Sequence, residues 1–173
     1  MGTVRNAAPV QLICAVCYQD DAIRRLAVNQ LLALYGPSSQ RSPVLLFDHT
    51  KYYQDEMGAP LHKYILAFDG LIDPMDAVEI KWATNRIEAR YAAGGKRRIN
   101  LDPGYLEAAK LILVTTKNFS HRIYLGRGIY GDVQLFWRHG GFQANPWTYP
   151  DYLEKSTLEF LTLLRKNYLE RGT

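Results

Sequence analysis

Residues 10–18, Val-Gln-Leu-Ile-Cys-Ala-Val-Cys-Tyr, form an almost uninterrupted apolar run. A run of this length between polar residues predicts a buried β-strand. Asp20 or Asp21 can cap a helix directly after it, and Gly36-Pro37 can end that helix. The inner face of the helix is expected to carry Ile23, Leu26, Ala27, Leu31 and Leu34. This stretch therefore predicts a β-α unit.

The following segments predict further strands and a second helix. Strands are expected at residues 44–47 and 63–72, and Asp73-Pro74 is a typical start for a helix that runs to about residue 93. A fourth strand begins at residues 99–101 and is expected to break at Asp102-Pro103-Gly104. The order β-α-β-β-α-β matches an α+β, ferredoxin-like βαββαβ sandwich. A more irregular α+β arrangement with a mixed sheet is the alternative.

The rest of the sequence predicts an extension of this sandwich by a C-terminal β-hairpin and helix. Residues 105–116 fit a helix or a strand, and the aliphatic run in their second half favours a strand. The hairpin joins residues 122–125 to residues 129–138, and residues 151–170 have the apolar spacing of a last helix. Because no linker or repeat interrupts the pattern, residues 1–173 are expected to form a single domain.

Charge is distributed unevenly along the chain. The formal net charge of +4 is too mild to indicate a nucleic-acid binder. Residues 81–139 hold 11 basic and 4 acidic residues, whereas residues 1–80 hold 6 basic and 9 acidic residues. The central segment is therefore either a solvated basic face or a site for an anion such as a phosphate, nucleotide or carboxylate.

The two cysteines, Cys14 and Cys17, have the C-x-x-C spacing of redox and zinc motifs but lie in the strand at residues 10–18. Residues three apart on a strand face opposite sides, so two separate buried thiols are expected. No apolar stretch reaches the length of about 18 residues that a membrane span needs. These features favour a protein of the cytoplasm with no membrane partner.

Acidic residues and a histidine lie in the polar loops that follow the predicted strands. Asp48, Glu56 and Asp102 offer the oxygen ligands that a divalent cation such as Mg²⁺ or Mn²⁺ prefers. His121 could complete such a site, or act with Asp102 as a catalytic acid and base near neutral pH. If the protein is an enzyme, metal-assisted phosphoryl transfer or hydrolysis is the class that this set favours.

The basic residues of the same loops predict a site for an anionic small molecule. Arg97, Arg98, Lys117 and Arg122 are candidates to clamp a phosphate or carboxylate group. The predicted ligand-binding set is completed by three further residues of the polar loops, Asn100, Tyr105 and Tyr52.

Known nucleotide motifs are absent from the sequence. There is no G-x-x-x-x-G-K-[ST] loop, and Gly126-Arg127-Gly128 lacks the third glycine of a dinucleotide fingerprint. The 12 tyrosines leave two other hypotheses open. They could stack on the bases of single-stranded RNA, or they could form an interface with a partner protein or a second copy in a homo-oligomer.

Five segments of the sequence form a distinctive set. They are Leu12-Ile13-Cys14, Tyr52-Tyr53-x-x-Glu56-Met57-Gly58, residues 100–106, residues 115–126 and Trp147-Thr148-Tyr149-Pro150-Asp151-Tyr152. Together they resemble an uncharacterised prokaryotic family, domain of unknown function 4416. The resemblance covers about residues 9–170. Some members carry an automatic GTP-binding label, which the missing phosphate loop does not support. The resemblance implies no particular activity or catalytic residue.

Overall fold

The computed structural model describes residues 2–48 and 53–171, apart from the side chain of Gln54. Its helices are α1 (Asp21–Tyr35), α2 (Gln54–Met57), α3 (Ala77–Tyr91) and α4 (Lys155–Glu170). Short 3₁₀ turns, Pro74–Asp76 and Pro150–Tyr152, precede α3 and α4. The strands are β1 (Val10–Tyr18), β2 (Gln40–Arg41), β3 (Leu45–Leu46), β4 (His62–Ile72), β5 (Ile99–Leu106), β6 (Lys110–Thr115), β7 (Ile123–Gly126), β8 (Ile129–Arg138) and β9 (Gly141–Ala144).

The described strands form one sheet of nine strands. Its main order is β2-β4-β1-β5-β6-β8-β7, with β3 paired to β4 and β9 paired to β8. Each of these pairings is antiparallel. The protein is therefore a mixed α/β structure built on a large antiparallel sheet.

Helices cover the central strands on both faces because side chains alternate along β1. Leu12 and Val16 face one way and pack in a cluster with α1 and α3. Ile13 and Ala15 face the other way and pack in a second cluster with α4. Since β1 is buried on both faces, its sequence is a continuous apolar run rather than an alternating one.

The ferredoxin-like order is not confirmed. β1 lies between β4 and β5 and is antiparallel to both, and the sheet continues beyond β5 through β6, β8 and β7. The predicted β1, α1, hairpin and last helix are confirmed. In α1, however, the buried stripe narrows to every fourth residue, and the expected core residues Leu26 and Leu34 are exposed.

Both cysteines are buried free thiols, as the strand position predicts. Cys14 packs in the cluster with α1 and α3, and Cys17 packs with Phe47 and Leu61. Burial raises the pKa of Cys17 to about 12 and that of Cys14 still further above its ordinary value. Neither thiol has the lowered pKa of a reactive cysteine.

No helix within residues 2–48 and 53–171 is long and apolar enough to cross a membrane.

Candidate functional site

The sheet divides beside β5, and this fork defines the candidate site. β5 pairs with β1 from Ile99 to Leu106, but it pairs with β6 only from Gly104 to Leu106. The predicted turn at Asp102-Pro103-Gly104 is instead part of β5. The first half of β5 therefore has a strand neighbour on one side alone.

Pro103 and Gly104 account for the position of the fork. Proline has no N–H to donate to a neighbouring strand, so regular pairing with β6 is interrupted at Pro103. At Gly104 the two strands approach so closely that a Cβ atom would overlap the carbonyl oxygen of Ile112. The sequence Pro-Gly thus marks the boundary of the fork: β5 is not paired with β6 at Pro103 and is paired with it from Gly104 onward.

Side chains of α3 take over the hydrogen bonds that β6 does not make. Leu101 N–H donates to Glu88 Oε1 at 2.5 Å, and Leu101 C=O accepts from Lys81 Nζ at 3.0 Å. Lys81 Nζ also lies 3.4 Å from Asp102 Oδ1. Because Glu88 and Lys81 are seven residues apart, they lie two turns apart on one side of the helix. Two charged side chains thus satisfy the backbone N–H and C=O of Leu101 at the open edge of β5.

A cavity of about 600 Å³ occupies the fork. One wall is α3 with Lys81 and Glu88, and a second is the open half of β5 with Asn100 and Asp102. The end of β6 and the residues after it form a third wall. The remaining surface comes from β4, the 3₁₀ turn at Pro150–Tyr152 and the aromatic rings of Phe47, Tyr53 and Tyr149. The volume is typical of a small-molecule site.

Lysines from opposite faces of the sheet meet in this cavity. Lys63 lies on β4, one strand beyond β1, and its Nζ is 2.6 Å from Asp151 Oδ2. Lys81 reaches the same space from α3. Each lysine is at most 8% exposed. Buried charges of this kind need partners, and Asp151 and Asp102 supply them.

Arg97 joins Glu56 to the polar side chains of β5 through hydrogen bonds. Its guanidinium donates from Nε and Nη2 to Glu56 at 2.9 and 2.7 Å and from Nη1 to Asn100 Oδ1 at 2.9 Å. Asn100 Nδ2 in turn donates to Asp102 Oδ2 at 2.6 Å. These bonds form a continuous path from Glu56 to Asp102, which fixes the orientation of all four side chains.

Two carboxyl groups in the cavity have pKa values that move in opposite directions. Burial raises the pKa of Glu88 to about 7, although Lys81 and the Leu101 N–H oppose the shift. Burial acts on Asp102 too, but the charges of Lys81 and Lys63 outweigh it and hold the pKa of Asp102 below its ordinary value. At neutral pH the site therefore combines a fixed carboxylate with a carboxyl that is partly protonated.

A second group of polar side chains braces the wall beside β8. Asp132 lies on β8 with its side chain 2% exposed, and its Oδ2 accepts from Arg122 Nε at 2.8 Å. His121 Nε2 lies 3.3 Å from the same oxygen, and its ring stacks on Trp147. Arg122 also donates to Lys117 C=O and to Tyr149 Oη, both at 2.9 Å. Arg122 and His121 thus hold the wall in place through Asp132.

The structure brings together only part of the predicted site. Asp102, Arg97, Asn100 and Lys117 line the cavity. Arg122 and His121 lie behind its wall, as described above, and are not among the described lining residues.

Arg98, Tyr105 and Tyr52 are placed differently. Arg98 points to the surface, where it pairs with Asp20 at 2.6 Å. Tyr105 packs in a small apolar cluster with Val114 and Ile129. Tyr52 lies outside the described residues.

The predicted metal ligands are not gathered into one group. Asp48 is exposed, Glu56 binds Arg97 through both oxygens, and Asp102 lies in the fork. Among the described residues, no three His, Cys, Asp or Glu side chains lie close enough to hold a metal ion. Burial of Glu56 is outweighed by its hydrogen bond to Arg97, which lowers the pKa of that carboxyl.

Sequence reasoning missed Lys63, Lys81, Glu88, Asp132 and Asp151. One signal was available for two of them. Lys81 and Glu88 each directly follow a core isoleucine, Ile80 and Ile87, so they sit beside the buried stripe of α3. Two charged residues that each come directly after a core residue of a helix indicate side chains that face the interior of the fold.

The fold and the cavity define a mixed α/β protein whose antiparallel sheet opens around a charged cavity. A family model described as Domain of unknown function (DUF4416) matches residues 8–168 of the 173. The chain therefore belongs to this family, and the resemblance seen in its sequence is confirmed. No curated protein and no solved structure matched the chain.

Proposed function

We propose that the protein binds a small anionic metabolite, a nucleotide or another phosphorylated compound, in the cavity of the fork. The observation that supports this most directly is that Lys63, Lys81, Glu88 and Asp102 line a cavity instead of a filled core. Keeping charges in a buried place costs free energy that apolar packing would avoid. Binding of a ligand by these charged side chains would account for their retention in a buried position.

The outer part of the cavity suits a phosphate or carboxylate group. Arg97 and Lys117 both line it, and Lys117 is exposed. Arg97 uses three of the five N–H groups of a guanidinium in its bonds to Glu56 and Asn100. Two N–H groups of a guanidinium already held in position then remain for an anionic ligand.

The inner part of the cavity suits a polar, planar group. The Asp102 carboxylate and the Asn85 and Asn100 amides can accept from the hydroxyl or amino groups of a sugar or base. The rings of Phe47, Tyr53 and Tyr149 offer apolar walls, as most ligand sites do. A nucleotide combines both kinds of group in one molecule.

The reaction class proposed with this site is metal-assisted phosphoryl transfer or hydrolysis, with Asp102 as the first candidate for contact with Mg²⁺ or Mn²⁺. The residues that gather around Asp102 are Lys81 and Asn100 rather than further carboxylates. This arrangement favours ligand binding as the primary function, with any cation brought by the phosphate itself.

Single-stranded RNA is a less well supported ligand. RNA-binding sheets stack bases on an open sheet face. Here α1 and α3 cover one face of the central strands and α4 covers the other. A pocket ligand fits this architecture better than a strand laid across the sheet.

The test is a binding experiment with a matched pair of arginine variants. Thermal unfolding is measured with nucleotides, phosphorylated metabolites and short RNAs, each with and without Mg²⁺ and Mn²⁺. A ligand at about 100 times its dissociation constant should stabilise the protein by about 2.7 kcal/mol. Arg97→Ala should weaken binding by about tenfold or more. Arg98→Ala, which changes the same residue type one position away but outside the cavity, should leave binding intact.

Three results would count against the proposal. A panel in which no compound shifts the unfolding temperature would argue against a small-molecule ligand. Equal losses in both arginine variants would place the ligand elsewhere. A response to RNA alone would favour the RNA alternative, and Asp102→Asn, which keeps the side-chain shape, should then have no effect.

A further inference from the structure

The outer face of α4 carries an ordered row of charges. Its inner face packs Phe160, Leu161 and Leu164 against the sheet. The opposite face presents four charged side chains that are each more than 60% exposed, Lys155, Glu159, Lys166 and Glu170. They lie at spacings of four, seven and four residues and so share one side of the helix.

The order of these charges is the reverse of what the helix itself favours. Acidic residues stabilise the start of a helix and basic residues its end. The first turn of α4 has no acidic residue and its last turn has no basic residue. Lys155 stands at the start and Glu170 at the end.

The pairs within the helix do not explain the order either. Lys155–Glu159 and Lys166–Glu170 both place the lysine first, which is the weaker orientation for an i,i+4 pair. Their N–O distances are both 3.9 Å, and all four side chains are well exposed. Pairs of this kind contribute little to stability.

A second copy of α4 laid antiparallel to the first matches every one of these charges. If the two-fold axis passes between Thr162 and Leu163, Lys155 lies opposite the partner's Glu170. Glu159 then lies opposite the partner's Lys166. Lys155 also lies beside the C-terminal end of the partner helix and Glu170 beside its N-terminal end, and the helix dipole attracts each charge there. The row is self-complementary, as a two-fold interface between identical subunits must be.

The same face also carries apolar side chains. Leu153, Leu158 and Leu163 line a shallow groove together with Thr162. Leu153 and Leu163 are 43% and 54% exposed. In the antiparallel arrangement Leu163 packs over the partner's Thr162, a small side chain that allows the helices to approach.

We propose that the protein self-associates as a two-fold dimer through this face of α4. The charges set the antiparallel register, and the leucines supply the buried apolar surface. A helix of 16 residues is about 24 Å long, so the contact is small for a dimer. The dimer is expected to be concentration-dependent, with a dissociation constant of about 1 µM or weaker.

The test uses charge swaps that keep each pair within the helix intact. Lys155→Glu/Glu159→Lys and Lys166→Glu/Glu170→Lys each exchange one pair, so α4 keeps its internal pairs. In a dimer of either variant, however, like charges meet across the axis. Sedimentation velocity over a concentration series should show a dimer for the unchanged protein and at least about a tenfold weaker association for each double variant.

Two recombinations then identify the register. A mixture of the two double variants places opposite charges together at all four positions and should form a heterodimer. The quadruple variant restores all four contacts with itself and should form a homodimer. Helix content and unfolding temperature should be similar in every variant, which separates loss of association from loss of folding.

Several outcomes would overturn the proposal. A protein that is monomeric throughout the concentration series has no such interface. A dimer that survives in both double variants uses a different surface. Failure of both the mixture and the quadruple variant to associate would contradict the antiparallel register.

Discussion

The two halves of β5 have different neighbours and different roles. From Gly104 to Leu106 the strand pairs with β6 and buries apolar side chains. From Ile99 to Pro103 its free edge is held by Lys81 and Glu88 of α3, beside a cavity. The closed half has a strand neighbour on each side. The open half still packs Ile99 and Leu101 in the core, but charged side chains contact its free edge beside the cavity. A single strand can thus contribute both to the core and to a candidate site when its pairing with one neighbouring strand covers only part of its length.

The closed half should be the more sensitive to added volume. Gly104→Ala places a methyl group where the carbonyl oxygen of Ile112 lies, so the backbone of β5 or β6 must move. We expect a loss of about 3 kcal/mol in the free energy of unfolding, measured by urea denaturation. Gly70→Ala is the matched control, because Gly70 is also in a strand and has open space around it. Equal effects of the two substitutions would show that β5 and β6 do not approach as described.

The open half should be sensitive to the loss of a charge. Lys81→Met keeps most of the side-chain volume but leaves Leu101 C=O without its donor and removes the ammonium group beside the Asp102 carboxylate. Because Asp102 keeps part of its surface exposed, the expected loss is about 2 kcal/mol rather than the larger values seen for fully buried pairs. Lys110→Met removes a lysine from the surface pair with Glu107 and should cost less than about 1 kcal/mol. If both variants unfold at the same urea concentration, Lys81 does not hold the fork.

The pH dependence of stability should reveal Glu88. Its pKa in the folded protein is about 7, above the ordinary 4.5. Between these values the folded state binds more protons than the unfolded state, so the free energy of unfolding falls as pH rises. Glu88→Gln has no proton to lose. The variant should match the unchanged protein below about pH 4.5 and exceed it by about 3 kcal/mol above pH 7. A difference that stays constant with pH would contradict this role of Glu88.

Sequence reasoning found the elements whose signals are local. The run at Val10–Tyr18 and the Asp20 cap predict β1 and the start of α1, and both are confirmed because burial and capping depend on near neighbours. It could not find the fork. Asp102-Pro103-Gly104 has the composition of a turn, but its pairing with residues 13–15 of β1, which are distant in sequence, makes it part of a strand.

The candidate site was predicted only in part, because some of its residues are close in sequence and others are brought together by the fold. Arg97, Asn100 and Asp102 cluster in sequence, which predicts a common site, and all three line the cavity. Lys63 and its partner Asp151 are 88 positions apart, and no local spacing connects them. Their pairing cannot be predicted from sequence spacing, because it depends on the topology that places β4 beside the turn that precedes α4.

The substitution with the smallest expected effect distinguishes two explanations of the fork, the missing N–H of Pro103 and the side chains of α3 that lie between the strands. In an antiparallel strand the N–H groups of alternate residues point to the same side, so a nitrogen at position 103 points into the fork with that of Leu101. Pro103→Ala adds an N–H there and should cost about 0.5–1 kcal/mol, mainly because the unfolded chain gains freedom.

Amide hydrogen exchange then shows whether β6 closes on the new donor. If the side chains of α3 keep the strands apart, the new amide at position 103 should exchange rapidly, since no acceptor from β6 reaches it. The Leu101 amide, which donates to Glu88, should remain protected and serve as the internal control. Strong protection at position 103, together with slower exchange in β6, would mean that the missing N–H of Pro103 alone keeps the sheet open. In that case the charged pair of α3 would occupy a gap that the proline creates.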